Sequence, residues 1–160
     1  MKNSPALAAV IDIGSSMVRL NLGQVKGNAV NILEYMETPL PLGHETFVDG
    51  RISFDTVEKL CDILKSHHRI LRPYMVEEVR MVATTALREA QNKNYILDQI
   101  RIKTGLPVRV LEDSEEKEII FRETLRRLQA ADAMPTSPAL MAYIGTGSIG
   151  VSLLQEGLIH

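Results

Sequence analysis

Two short turns carry the residues best suited to chemistry: Ile11-Asp12-Ile13-Gly14-Ser15-Ser16 near the start and Tyr143-Ile144-Gly145-Thr146-Gly147-Ser148 near the end. Each follows an apolar run and leads into another, as in a β-hairpin whose turn presents backbone amides and hydroxyls to a phosphate. Two such turns in one chain look like a duplicated phosphate loop. The copies differ in chemistry at the strand end. The first keeps a carboxylate, Asp12, at the end of its strand, where the second has the phenol of Tyr143.

Other reactive side chains point away from metal or thiol chemistry. Cys61 is the one cysteine and lies with Val57, Leu60 and Leu64 at helical spacing, which reads as a core position in a reducing compartment. The histidines His44, His67, His68 and His160 have no spacing with cysteine that suggests zinc. His67 and His68 are expected on different sides of a helix, at the surface or partly buried, and His44 in a loop beside the cleft. A net charge of −2 over 160 residues gives no electrostatic case for duplex nucleic acid or an anionic membrane. The N-terminal stretch is broken by Asp12 and fits neither a secretory signal nor a spanning helix, so a cytoplasmic location is expected.

The elements that must position the turns follow from periodicity. Residues 6–13 form a strand-length apolar run, 18–25 alternate, Gly27-Asn28 supplies a turn, and 29–35 make a third strand of an antiparallel meander. Pro39, Pro41 and Gly43 break the pattern, and the stretch through Gly50 reads as a loop. Asp55-Thr56-Val57-Glu58 looks like a capping box opening a helix that must stop before Pro73. A buried strand over 78–83 runs into a short helix within 84–90. A helix from about Lys93, bearing Ile96, Leu97, Ile100 and Ile102, ends at Gly105. Strand 108–111 precedes a last helix opened by Asp113-Ser114-Glu115-Glu116, with Ile120, Phe121, Leu125 and Leu128 toward the core. The order β-β-β-α-β-α-β-α is that of an α/β fold with a mixed sheet. Residues 1–130 are expected as one domain, 131–138 as a linker and 139–160 as the first hairpin of a second, similar domain, so that the chain is the front part of a longer protein.

The block Val82-Ala83-Thr84-Thr85-Ala86-Leu87-Arg88-Glu89-Ala90-Gln91-Asn92, taken with the first turn, Thr104-Gly105-Leu106-Pro107 and Ile144-Gly145-Thr146-Gly147-Ser148, resembles the exopolyphosphatase and guanosine pentaphosphate phosphatase (Ppx/GppA) family. The resemblance implies an actin-like ATPase (ribonuclease H-like) domain. It also implies metal-assisted phosphoryl transfer to water from polyphosphate or guanosine penta- or tetraphosphate, in a cleft between two domains. Asp12 would then hold Mg²⁺, since hard cations prefer oxygen ligands; the plainer alternative is that it only fixes the turn. Gly14, Ser15, Ser16 and, in the second loop, Gly145, Gly147 and Ser148 would bind phosphate. Arg88 would grip two phosphate oxygens with its guanidinium, or be a surface arginine paired with Glu89 or Glu112. Glu116 matches the family's water-activating acid, while Asp113-x-x-Glu116 also reads as a capping box.

Where the family has Asp-Ile-Gly-Gly-Gly-Ser-Thr-Glu, this chain has Tyr143-Ile144-Gly145-Thr146-Gly147-Ser148-Ile149-Gly150. Both acids are gone. A phenol is uncharged at neutral pH and a glycine offers no ligand, so an impaired phosphohydrolase is expected. A non-catalytic binder of polyphosphate or alarmone, or a structural module, stand as alternatives. A homodimer is admissible.

Overall fold

The computed structural model describes residues 6–27, 29–76 and 78–159; Asn28 of the expected turn and His160 lie outside the described residues. The elements are β1 (Ala6–Ile13), β2 (Met17–Lys26), β3 (Ala29–Pro39), α1 (Leu42–Asp49), α2 (Phe54–Leu71), a 3-10 turn (Arg72–Tyr74), β4 (Glu78–Ala83), α3 (Thr85–Glu89), α4 (Lys93–Thr104), β5 (Val108–Val110), α5 (Asp113–Ala130), β6 (Ala139–Ile144), β7 (Ile149–Gln155) and β8 (Leu158–Ile159). They divide into two compact units, residues 1–110 and 111–160. The helix α5 falls in the second unit.

In the first unit a five-stranded mixed sheet runs in the order β3-β2-β1-β4-β5, with β1 antiparallel to β2 and parallel to β4. Alternation decides its faces. Ile11 and Ile13 of β1, Val18, Leu20 and Leu22 of β2, and Met81 and Ala83 of β4 are buried together with Leu60, Cys61 and Leu64 of α2 and Ile96 and Ile100 of α4. Burial of such side chains contributes about 1.5–3 kcal/mol each for the larger ones. Cys61 is part of this core, and burial pushes its thiol up. Ile102, expected with the apolar stripe of α4, faces solvent instead. Gly105 ends α4 in the left-handed region, with φ 77°, as expected of a helix-stopping glycine.

Two expectations are corrected here. The stretch after Pro39 is not a loop: β3 continues to Pro39 and α1 follows. Leu42 and Thr46 of α1 are buried, and the Thr46 hydroxyl donates to the Ala86 carbonyl at 3.0 Å, so contact with α3 makes the helix where local periodicity is weak. The box that opens α2 lies two residues earlier than the sequence suggests. Ser53 is the N-cap and accepts from the Thr56 N–H at 3.3 Å. Glu45 of α1 supplies the carboxylate, accepting from the Ser53 N–H and the Thr56 hydroxyl, each at 2.6 Å. The acid of the box thus comes from another helix, which sequence spacing cannot display.

His67, expected at the surface or partly buried, is fully buried on α2. Its Nε2 lies 3.0 Å from the Thr38 hydroxyl, and its Nδ1 has no hydrogen-bond partner among the described residues. Burial pushes its pKa down. The folded state therefore holds the imidazole neutral, while the unfolded chain takes up a proton near pH 6.5. This costs nothing above that pH and destabilises the fold progressively below it.

The second unit contains α5 and a three-stranded antiparallel sheet, β6-β7-β8, one strand more than the expected hairpin. On α5 the N-cap is Glu112, one residue before the Asp113 of the expected box, and Glu112 makes no side-chain cap bond. Among the described residues no helix is long and apolar enough to cross a membrane.

Two outcomes are expected from urea unfolding. Ser53→Ala lowers stability by about 1 kcal/mol. Between pH 7.5 and 5.5 the wild type loses about 1 kcal/mol more than His67→Leu does; equal losses would remove His67 from the account.

Candidate functional site

The first loop is fixed through its backbone. The Gly14 N–H donates to the Met17 carbonyl at 3.0 Å and closes the β1–β2 turn. The Ser15 carbonyl accepts from the Gly43 N–H at 2.7 Å and the Ser16 carbonyl from the Leu40 N–H at 2.9 Å. Gly43 must be small, because a Cβ there would stand 3.0 Å from Ser15 Cβ and 3.2 Å from its carbonyl oxygen. The Thr84 N–H donates to the Ile13 carbonyl at 3.2 Å, which joins the start of α3 to the loop. With these carbonyls turned to the scaffold, the Ser15 and Ser16 amides and hydroxyls are the groups the loop can offer an anion.

Arg88 lies on α3, whose start carries that bond. Its side chain is only 10% exposed, so it is not the surface arginine of the plainer expectation, although it does pair with Glu89 at 3.2 Å. Its Nη2 donates to the Thr85 hydroxyl at 3.1 Å. These bonds fix the guanidinium next to the junction, where a largely desolvated cation is worth more to an anion than an exposed one.

Asp12 lies on the sheet face opposite the core. Register places it directly across from Arg19 of β2, and Arg19 directly across from Glu37 of β3. The three form one transverse row of alternating charge. Arg19 Nη1 is 3.5 Å from the Asp12 carboxylate and its Nε 2.8 Å from Glu37. Tyr35 also donates to Glu37. The Tyr35 hydroxyl first, then Arg19, holds the Glu37 carboxyl below the usual carboxylate range. Arg19 was not foreseen, although a hairpin that pairs Ile13 with Val18 must also pair Asp12 with Arg19.

The second loop closes in the same way as the first, with the Gly145 N–H donating to the Ser148 carbonyl at 2.8 Å. Around it the side chains differ. The phenol of Tyr143 folds over Gly145, where a Cβ would collide with the hydroxyl and stand 2.8 Å from Cζ. Tyr143 is the direct cross-strand partner of Gly150, so the two positions that carry acids in the family pattern face each other on one side of the sheet. The room left at Gly150 is used by α5: a Cβ on Gly150 would meet Cγ, Cδ and Cε of Lys117 at 3.3–3.4 Å. Lys117 Nζ pairs with Asp113 at 2.5 Å. Glu116, one residue before, is buried, and its N–H bonds the Glu112 carbonyl as in any helix interior. The N-cap of this helix is Glu112, one residue before the Asp113 of the expected box.

The first unit therefore gathers Asp12, Gly14, Ser15, Ser16 and Arg88, and the second carries Glu116, Gly145, Gly147 and Ser148. Magnesium, which the resemblance implies, prefers several oxygen ligands in near-octahedral array. Among the described residues no three His, Cys, Asp or Glu side chains gather as a metal site. At the first loop one carboxylate is paired with an arginine. At the second, a phenol, a hydrogen and a nearby ammonium do not fit the ion.

Comparison with known proteins bears on this geometry. The chain matches the model of the Ppx/GppA phosphatase family over residues 23–158. It is 26% identical over 123 residues to the bifunctional 3-dehydroquinate synthase/phosphatase of Fusobacterium nucleatum, covering 72% of this chain and 18% of that protein. A Ppx/GppA family member from Aquifex aeolicus superposes with a TM-score of 0.80 at 26% identity, over 98% of this chain and 50% of that one. An exopolyphosphatase from Cytophaga hutchinsonii gives 0.83 at 25% identity, over 96% and 48%. The chain thus spans about half the length of these solved relatives. The mixed α/β architecture with its five-stranded sheet is the actin-like fold they share.

The charge row predicts competition at Asp12. Removing the exposed arginine in Arg19→Ala should raise the affinity of this carboxylate for Mg²⁺ by about two- to fivefold, a shift within the range of partly exposed ion pairs. Following Mg²⁺ titrations by NMR of the Asp12 carboxylate checks this; an unchanged affinity would show that the pair does not compete with a cation.

Proposed function

Because the chain belongs to the Ppx/GppA phosphatase family, we propose that it is the phosphate-handling part of a phosphoanhydride phosphohydrolase of the exopolyphosphatase or guanosine pentaphosphate phosphatase type, impaired at its second loop. One observation carries the impairment: Tyr143 and Gly150 face each other across β6 and β7 where the family pattern has two acids. In this reading Gly14, Ser15 and Ser16 take phosphate oxygens through amides and hydroxyls, and Gly145, Gly147 and Ser148 do so on the second loop. Arg88, already oriented by Thr85 and Glu89, clamps a phosphoryl group. Glu116 accepts a proton from the attacking water as general base. Mg²⁺, when bound, supplies positive charge to phosphoryl oxygens, and Asp12 is the first-loop residue that would hold it. The ligand is polyphosphate or guanosine penta- or tetraphosphate, and the protein acts in the cytoplasm.

The second reading is a non-catalytic sensor of the same ligands. The phenol laid over Gly145 favours it, because a loop without metal-holding acids can still bind phosphate while losing the charge that a transition state needs.

Phosphate release by the protein containing this chain separates the readings. With Mg²⁺, we expect slow turnover of polyphosphate that Glu116→Gln abolishes and that Tyr143→Asp with Gly150→Glu raises by about 10²-fold, the scale of restored transition-state charge stabilisation. No turnover in the wild type with unchanged binding selects the sensor. Full activity in Glu116→Gln would remove that residue as the base.

A further inference from the structure

Gly150 leaves a gap that another side chain has entered. Where the family pattern has a glutamate, the methylenes of Lys117 lie at 3.3–3.4 Å from the position of the missing Cβ. The ammonium is one bond beyond Cε, the last of those carbons. The charge at this place is therefore reversed: an acid that would help hold a cation is replaced by a cation of the chain itself. Across the strand pair, the other acid position is Tyr143, whose hydroxyl lies over the loop glycine Gly145. One ammonium and one phenol, both hydrogen-bond donors, now border the loop on the face where two acceptors are expected.

We propose that the second loop binds a phosphate group directly and without Mg²⁺, with Lys117 supplying the positive charge and Tyr143 an O–H donor. The proposal rests on the reading of the loops as phosphate sites and adds the chemistry by which this one works. A magnesium ion bridges carboxylates and phosphate because both are acceptors; donors meet phosphate with no ion between them. Lys117 has three N–H groups, and Asp113 accepts from one of them at 2.5 Å. The side chain is 31% exposed, so its other donors are within reach of a ligand. The Asp113 contact holds the long stem in place, which lowers the entropy lost when the ammonium engages an anion. A simple surface ion pair on the helix would need neither the gap at Gly150 nor a phenol opposite it.

Titration of the protein with tripolyphosphate by calorimetry, in EDTA and again in Mg²⁺, tests this. The expected result is binding in EDTA that weakens about tenfold or more in Lys117→Met, which keeps the stem packed on Gly150, and about threefold in Tyr143→Phe. Lys117→Arg should recover most of the affinity. Gly150→Glu, which must push the lysine stem aside, should lose the EDTA binding and make binding depend on Mg²⁺. Thermal melts of each variant establish that it is folded. Binding that requires Mg²⁺ in the wild type, or that is equal in Lys117→Met and the wild type, overturns this proposal and leaves the phosphate reading intact. Absence of binding in both EDTA and Mg²⁺ overturns both.

Discussion

The register of the β1–β2 hairpin is the constraint on which the first unit depends. Side chains alternate across a strand, so one pairing puts Ile11, Ile13, Val18 and Leu20 under the helices and Asp12, Arg19 and Glu37 on the opposite face. A slip of β1 by one residue would bury Asp12 and expose Ile11 and Ile13, and the same slip of β2 would bury Arg19 and expose Val18 and Leu20. Several kilocalories per mole oppose it, at about 1.5–3 kcal/mol for each aliphatic side chain. The turn at Gly14 fixes the register from the other end through its bond to Met17. Core packing and the geometry of the site are thus set by one pairing.

Placement of Arg88 follows from the same scaffold. β4 lies parallel to β1, and its last residue, Ala83, pairs with Ile13, so α3 begins beside the loop. α1 leans on α3 through Thr46 and on the loop through Gly43, and it also lends Glu45 to the start of α2. A stretch that lacks clear periodicity therefore links the loop, the arginine-bearing helix and the main core helix. Its helical form comes from these links rather than from its own propensity.

In the second unit the same hairpin plan carries different chemistry. The turn closes by the same backbone bond, yet where the first has the carboxylate of Asp12 the second has the phenol of Tyr143, and a lysine stem lies against Gly150 opposite it. A metal site depends on particular oxygens, whereas a backbone turn depends only on small residues and main-chain bonds. The fold of the loop therefore persists when its ligands do not. Charge at such a site can be supplied by an ion or by the chain, and the sign of the surrounding side chains determines which one is compatible.

Most strands and helices were legible in the sequence because each has a local cause: alternation in β2, the apolar stripe of α2, Gly105 behind α4, and small residues at both turns. That the second loop offers Tyr143 and Gly150 rather than carboxylates was legible too, since it needs only the order of residues. Two features were not: the helix α1 and the acid capping α2 come from contacts between segments distant in sequence. The burial of His67 was readable, because it stands three residues after Leu64 and four before Leu71 on the apolar stripe of α2; its partner Thr38 on β3 was not. Arg19 was readable in principle from hairpin register. Lys117 was not, because nothing in the spacing of 117 and 150 says that a helix lays its stem on a glycine of a later strand. Sequence by itself determined which residue types each loop can offer; tertiary structure decided which charges stand beside them, because electrostatic partners are set by distance in space rather than along the chain.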